Sequence, residues 1–430
     1  MRVTILSVGS RGDVEPCVAL GLGLKAAGHE VRLATHSTFE ALVEGRGLSF
    51  SPLSVDPREV VESLARSSAS GISVMKNFRR TIEPALYRAT EDALAACEDA
   101  EGVVVSSAAF FGYDVADALD IPAAGVSLQP LTGASRFFPN ALMPSRVGLL
   151  EGGASARVIS SLYNRFSHLA AEQLLWQPFR STINRIRRDL LSLPPQPFFG
   201  PFRDPSADDW VQLHGWSRIL LDRPPDWGEN LKVTGYWFLG REEDWQPPER
   251  LSDFLDRGRA PVCMGFGSTS IQDPEKTARV FAETLRRLGQ RGVLLGGWGG
   301  LKSADLPDNV FQTEEAPYDW LLPQTRGFIH HGGTGAVNAA LRAGIPSITV
   351  PSYGDQLLWG YLLERLGVSP EPIPRRKLSS WRLTSAISTL LTDKSIRDRA
   401  ASLGEQSLAE DGVSEAVEAL QETFMSRSPV

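Results

Sequence analysis

Short apolar runs recur along the chain, separated by stretches of helical length. The first, Val3 to Val8, is bounded by Gly9-Ser10-Arg11-Gly12 and is the kind of mainly apolar run that a strand covered on both faces shows. A helix is expected from about Pro16, a residue suited to a first turn, to a stop at Gly28. Val31–Thr35, Val103–Ser106 and Ala123–Leu128 read as further strands with helical stretches between them. The scheme then repeats: Pro261–Phe266, Val293–Gly296, Val310–Gln312, Phe328–His330 and Ser347–Val350 read as strands, and Pro274–Gly289 and Gly335–Gly344 as helices. Strands alternating with helices imply parallel pairing and right-handed crossovers. The pattern therefore predicts an α/β chain of two Rossmann-like, doubly wound parallel-sheet domains. Such domains bind ligands outside the carboxyl ends of their strands, so two that face one another share a central cleft.

The expected division is an N-terminal domain over 1–235, a linker over 236–248 that contains Asp244-Trp245-Gln246-Pro247-Pro248, and a C-terminal domain over 249–410. In the remaining 411–430, Val413, Val417, Leu420 and Phe424 recur at helical spacing around Ser414, read as a helix cap. That stripe must be buried, and crossing back onto the first domain would bury it. From about 72 to 202 the pattern is less regular. Its aromatics, among them Phe137, Phe138, Tyr163, Phe166 and Trp176, suit either an apolar pocket or ordinary packing.

Composition narrows the function. A chain of 430 residues exceeds one compact core, and its 42% apolar and 22% charged residues are ordinary for a soluble protein. A formal charge of −7, with Arg375-Arg376-Lys377 the densest basic run, gives no footing for nucleic acid. Cys17, Cys97 and Cys263 are far apart and lack metal-ligand spacing, so neither a zinc site nor a disulfide framework is expected, and a reducing cytoplasm fits. There is no signal-peptide pattern, and no apolar stretch reaches the roughly 18–20 residues of a transmembrane helix. Cytoplasmic localisation is the expectation, and a homodimer is compatible with it.

The chemistry concentrates at predicted strand ends. His330-His331-Gly332-Gly333-Thr334-Gly335 closes a strand and opens a helix. Its small residues allow close backbone approach, the free N–H groups of a helix start attract anions, and an imidazole adds a donor. This describes a diphosphate cradle, although a tight strand-to-helix turn would read the same way. Asp355-Gln356, after Pro351-Ser352-Tyr353-Gly354, puts a carboxylate and an amide on the adjacent loop, where they suit sugar hydroxyls or a helix cap. Gly265-Phe266-Gly267-Ser268-Thr269 ends the first strand of the second domain and could face the distal phosphate. Gly9-Ser10-Arg11-Gly12-Asp13 ends the first strand of the first domain, with Asp13 placed to take a proton, to cap the helix, or to pair with Arg11.

Together these segments resemble family-1 inverting glycosyltransferases of the GT-B fold, in the sterol glucosyltransferase-like branch that adjoins bacterial natural-product glycosyltransferases. The resemblance rests on GSRGDVEPCVALGLGLKAAGHEVRLATH, GFGSTS, GGWGGL, PYDWLLPQ and FIHHGGTGAVNAALRAGIPSITVPSYGDQLLWG, in family order. It implies an activated sugar held by the C-terminal domain, with an acceptor on the N-terminal one. On that basis His331 contacts the donor diphosphate beside the backbone of Gly333, Thr334 and Gly335, with Gly267 and Ser268 nearby. Asp355 and Gln356 read sugar hydroxyls, with Tyr353 on the same loop, while Trp298 and Ala316 lie toward the nucleoside. Asp13 matches the general base. Arg11, Gly12, Phe137, Phe138 and Trp176 are the expected acceptor contacts. Two family positions differ: Ala339 replaces the ribose-binding glutamate and Glu315 the base-stacking tryptophan, which leaves uridine and thymidine diphosphate both open.

The implied reaction moves a hexose from a nucleoside-diphosphate sugar, in the manner of UDP-glucose, to a hydroxyl of a lipophilic polycyclic acceptor. The sugar nucleotide is a co-substrate, and no separate cofactor or metal is expected. Two rivals share the scaffold: a nucleotide-sugar epimerase and an auxiliary protein that activates a partner transferase.

Overall fold

A computed structural model describes residues 1–54, 82–149, 152–201, 210–267, 273–297, 300–301 and 306–426. Seven strands form the first sheet: β1 (Arg2–Leu6), β2 (Glu30–Thr35), β3 (Ser49–Pro52), β4 (Gly102–Ser106), β5 (Ala123–Ser127), β6 (Gln212–His214) and β7 (Leu231–Val233). Their order is β3-β2-β1-β4-β5-β6-β7, with every pairing parallel. The second sheet contains β8 (Val262–Gly265), β9 (Gly292–Leu295), β10 (Val310–Thr313), β11 (Gly327–His330) and β12 (Ser347–Thr349). It runs β10-β9-β8-β11-β12, again all parallel. Strand order reverses between β1 and β4 and between β8 and β11. A crevice opens at such a reversal because successive crossovers leave toward opposite sides.

The central strands coincide with the apolar runs because both of their faces are covered. Val3 and Ile5 enter one core cluster and Leu6 another, and β8 and β11 alternate between two clusters in the same way. Sequence pattern missed β3, β6 and β7. These are short and mix polar with apolar residues, so they carry too little periodicity to read.

Helices α1 (Arg11–Ala26), α3 (Thr334–Arg342) and α4 (Asp355–Arg365) start at the site, while α2 (Ala154–Asp189) and α5 (Gly412–Ser426) pack on the first domain. Helix α1 starts before Pro16, which lies inside it, because the Asp13 carboxylate accepts from the Ser10 N–H and hydroxyl and closes an earlier first turn. Helix α2 is a single element of 36 residues where the sequence looked irregular. Its apolar residues point both inward, as Ala171 and Ile183 do, and outward, as Leu162 and Phe166 do, so no one-sided period survives.

Helix α5 packs on the first domain. Val417, Leu420 and Phe424 join Ile5, Leu20 and Leu24 in one cluster, and Phe424 fills the space that a side chain at Gly102 would need. Its first turn is capped by Asp411, which accepts from the Ser414 N–H at 3.1 Å and from the Ser414 hydroxyl at 2.7 Å, so Ser414 is the capped residue and not the cap. Replacing the fully buried Phe424 by alanine should lower stability by about 3–5 kcal/mol through the cavity left behind. A urea midpoint unchanged from wild type would show that α5 contributes nothing to the first domain.

Candidate functional site

The cleft is built from the loops after β1, β8, β11 and β12. After β1, Gly9 takes a left-handed φ of +148°, and a side chain there would run into the Asp13 carboxylate. Asp13 Oδ2 accepts from the Ser10 N–H at 2.8 Å and the Ser10 hydroxyl at 3.0 Å, and Oδ1 accepts from Gln129 Nε2 at 3.3 Å. Burial raises the Asp13 pKa above the usual carboxylate range, against the lowering effect of these donors. Arg11 does not pair with Asp13. It bonds Glu15 at 2.6 Å and reaches across the cleft to Glu315 at 2.7 Å. Arg11 and Gly12 are exposed at the mouth.

After β11, His330 is fully buried. Its Nδ1 accepts from the Gly332 N–H at 3.1 Å, which puts its proton on Nε2. Gly332 has φ +90°, and a Cβ there would lie 2.7 Å from the Gln356 carbonyl, so glycine is required. The His331 ring lies over Gly333, and its Cε1 stands 3.5 Å from where a Cβ of Gly267 would be. Burial lowers His331 to about 4 and, with the charge of His331 adding, His330 to about 3. Both are therefore neutral at pH 7, and a neutral imidazole still offers one N–H. Gly333 caps α3 with an extended backbone, leaving the first N–H groups of Thr334 and Gly335 toward the cleft end of the helix.

After β12, Asp355 opens α4 and accepts from the Trp359 indole N–H at 3.2 Å. Burial first, and the nearby Asp13 charge second, push its pKa up to about 7. Gln356 is buried, and its Oε1 accepts from the Ser352 N–H at 2.8 Å, so its amide shapes the loop. Tyr353 is exposed on that loop.

Thus Asp13, Gly267, His331, Gly333, Thr334, Gly335 and Asp355 are brought to one place. Ser268 and Trp298 lie outside the described residues. Ala316 is half-buried against the second domain's core. Phe137 is exposed, whereas Phe138 and Trp176, expected to meet the acceptor, are core residues. Phe138 packs edge-on against Trp227, and Trp176 donates its indole N–H to the Phe198 carbonyl. Sequence reasoning missed Gln129 and Trp359. Gln129 directly follows a predicted strand, and that position alone could have marked it.

Two doubly wound parallel sheets, with a glycine-capped helix start and two buried carboxylates at their switch points, have the architecture of GT-B glycosyltransferases. Residues 3–112 match the glycosyltransferase family 28 N-terminal domain, and residues 299–423 match the erythromycin biosynthesis protein CIII-like C-terminal domain. The glycosyltransferase VinC in complex with dTDP superposes with a TM-score of 0.66 at 17% identity, over 99% of this chain and 100% of that one. Sterol 3-beta-glucosyltransferase UGT80B1 of Arabidopsis thaliana is 34% identical over 445 residues, covering 100% of this chain and 69% of that protein. A sterol 3-beta-glucosyltransferase of Cryptococcus neoformans is 33% identical, and the chain spans only 27% of its length. The chain belongs to the glycosyltransferase family of these sterol 3-beta-glucosyltransferases.

The raised Asp355 pKa has a thermodynamic signature. Between its ordinary value of 3.8 and about 7 the native state holds the extra proton, so this group's contribution to stability falls as pH rises through that window. Asp355→Asn removes that dependence. The stability of the variant relative to wild type should rise from about pH 5 to about pH 8 in urea titrations, and a flat difference would contradict the buried-carboxylate assignment.

Proposed function

We propose that the protein transfers a hexose from a nucleoside-diphosphate sugar, of the UDP-glucose kind, to a hydroxyl of a lipophilic polycyclic acceptor, with inversion. The observation that carries this reading is the meeting of Asp13, from the first domain, with Asp355, His331 and the α3 N-terminus, from the second. The donor diphosphate belongs at the α3 N-terminus, where the helix dipole and free N–H groups favour negative charge. Relatives named as sterol glucosyltransferases support a glucosyl donor and a sterol-like acceptor, and VinC, solved with dTDP, supports a nucleoside diphosphate.

In this scheme the acceptor hydroxyl lies beside Asp13. Its oxygen attacks the anomeric carbon as its proton passes to the carboxylate, and the bond from that carbon to the diphosphate oxygen breaks. The raised Asp13 pKa makes it a better base than an exposed aspartate. The neutral His331 donates to the leaving diphosphate, and the helix start shares the growing charge. Asp355 accepts hydrogen bonds from hydroxyls of the transferred sugar.

Uridine- and thymidine-diphosphate sugars assayed against lipophilic alcohols by mass spectrometry should give a product heavier by one hexose. An epimerised sugar nucleotide formed without any acceptor would replace this reading with that of an epimerase. Asp13→Asn should reduce turnover by about 10²–10⁴-fold with little change in donor affinity. His331→Ala should weaken both turnover and donor binding. Full activity in both variants would remove the catalytic assignment and leave an auxiliary role.

A further inference from the structure

The chain leaves the first domain through Gly235-Tyr236-Trp237-Phe238, a segment held by its neighbours on each side. Gly235 takes a left-handed φ of +93°, and a Cβ on it would stand 3.2 Å from the Cα of Gly412, the first residue of α5. Trp237 is fully buried in the first domain's core and donates its indole N–H to Thr234 Oγ1 at 3.0 Å. Phe238 lies under the guanidinium of Arg342, the last residue of α3, with 4.5 Å to its ring centroid. These contacts aim the Tyr236 ring at the start of α3, edge-on to Phe238 with centroids 4.8 Å apart.

The Tyr236 oxygen is 3.0 Å from the position that a Cβ on Gly335 would take. A helical Cβ tilts toward the helix N-terminus, so this hydroxyl stands beside the first turn of α3, next to its free N–H groups. Tyr236 is only 9% exposed, and among the described residues its hydroxyl has no hydrogen-bond partner. A hydroxyl so enclosed is costly to leave without one, and this one opens on the cleft. Burial first, then the charges of Glu15 and Asp13, hold the phenol above its ordinary range, so it keeps its proton and is available as a donor. The influence of Asp13 also says which end of the cleft this is. In the proposed reaction Asp13 faces the reacting carbon, which puts the hydroxyl at the sugar end of the diphosphate.

We infer that Tyr236 is a donor-binding residue whose hydroxyl donates a hydrogen bond to the phosphate next to the transferred sugar, beside the N–H groups of Thr334 and Gly335. The inference rests on the nucleoside-diphosphate reading above and extends it to the segment that joins the domains. Charge grows on that phosphate as its bond to the anomeric carbon breaks, so the hydrogen bond strengthens in the transition state. It also gives Gly335 a specific reason to be glycine, since a side chain there would press on the hydroxyl.

The test is calorimetric titration of the full chain with uridine diphosphate, thymidine diphosphate and uridine monophosphate. Tyr236→Phe keeps the ring and its contact with Phe238, so its thermal midpoint should stay as in wild type. The variant should bind the preferred diphosphate about tenfold more weakly and the monophosphate as wild type does. Its turnover in the transfer assay should fall further, about 100-fold, because the lost bond is strongest in the transition state. Diphosphate affinity unchanged in Tyr236→Phe would overturn the inference and leave the donor reading standing. So would a loss shared equally by the monophosphate, or a rise in acceptor KM alone. Wild type that binds neither diphosphate would overturn the donor reading, and this inference with it.

Discussion

Trp216, from the N-terminal half, meets Trp359 edge-on at 5.9 Å, and the Trp359 indole N–H in turn donates to the Asp355 carboxylate. One packing contact therefore joins the two halves and orients a site residue. Around it lies a shared core in which Phe138, Trp216, Trp227 and Val233 interlock with Val337, Leu341, Leu358 and Trp359. Helix α3 is pinned from the same side, because Asn338 Oδ1 accepts from the Ser217 N–H at 3.1 Å while its amide N–H donates to the Thr334 carbonyl at 2.8 Å. The cleft keeps its geometry because its walls are continuous with this core.

Electrostatics follow from that enclosure. Burial opposes the charge on both Asp13 and Asp355, the Asp13 charge adds to the rise at Asp355, and the histidine pair is held neutral by the same desolvation. Arg11 bridges the two halves at the rim and is already bonded to Glu15 and Glu315. The cleft thus pairs hydrogen-bond acceptors on the Asp13 and Asp355 side with the donor-rich, positive start of α3 on the other. A sugar diphosphate has the complementary layout, with hydroxyls that donate at one end and oxygens that accept at the other.

Several residues hold structural and chemical roles at once. Asp13 caps α1 and is also the buried carboxylate of the first domain, so its capping and base readings are compatible. Gln356 spends its amide oxygen on the Ser352 N–H, which shapes the loop that presents Asp355. Gly332 is fixed by its left-handed φ and by the Gln356 carbonyl behind it, so the loops after β11 and β12 constrain each other. Such mutual constraint is how a site on loops acquires the rigidity of the sheets beneath it.

The apolar runs at Val3, Val103, Val262 and Phe328 determined the central strands, and the glycine-rich turns after them determined where the switch-point loops fall. These features are local: a strand buried on both faces must be apolar, and a turn at positive φ favours glycine. The stripe Val417, Leu420 and Phe424 likewise determined a helix with one face to bury. Tertiary structure alone decided what covers that face, that Phe138 and Trp176 serve packing, and that Gln129 and Trp359 reach the two carboxylates. It also left the Leu162 and Phe166 face of α2 open to solvent. Each of these depends on contacts between residues far apart in the chain, and on burial, which residue identity and local period do not encode.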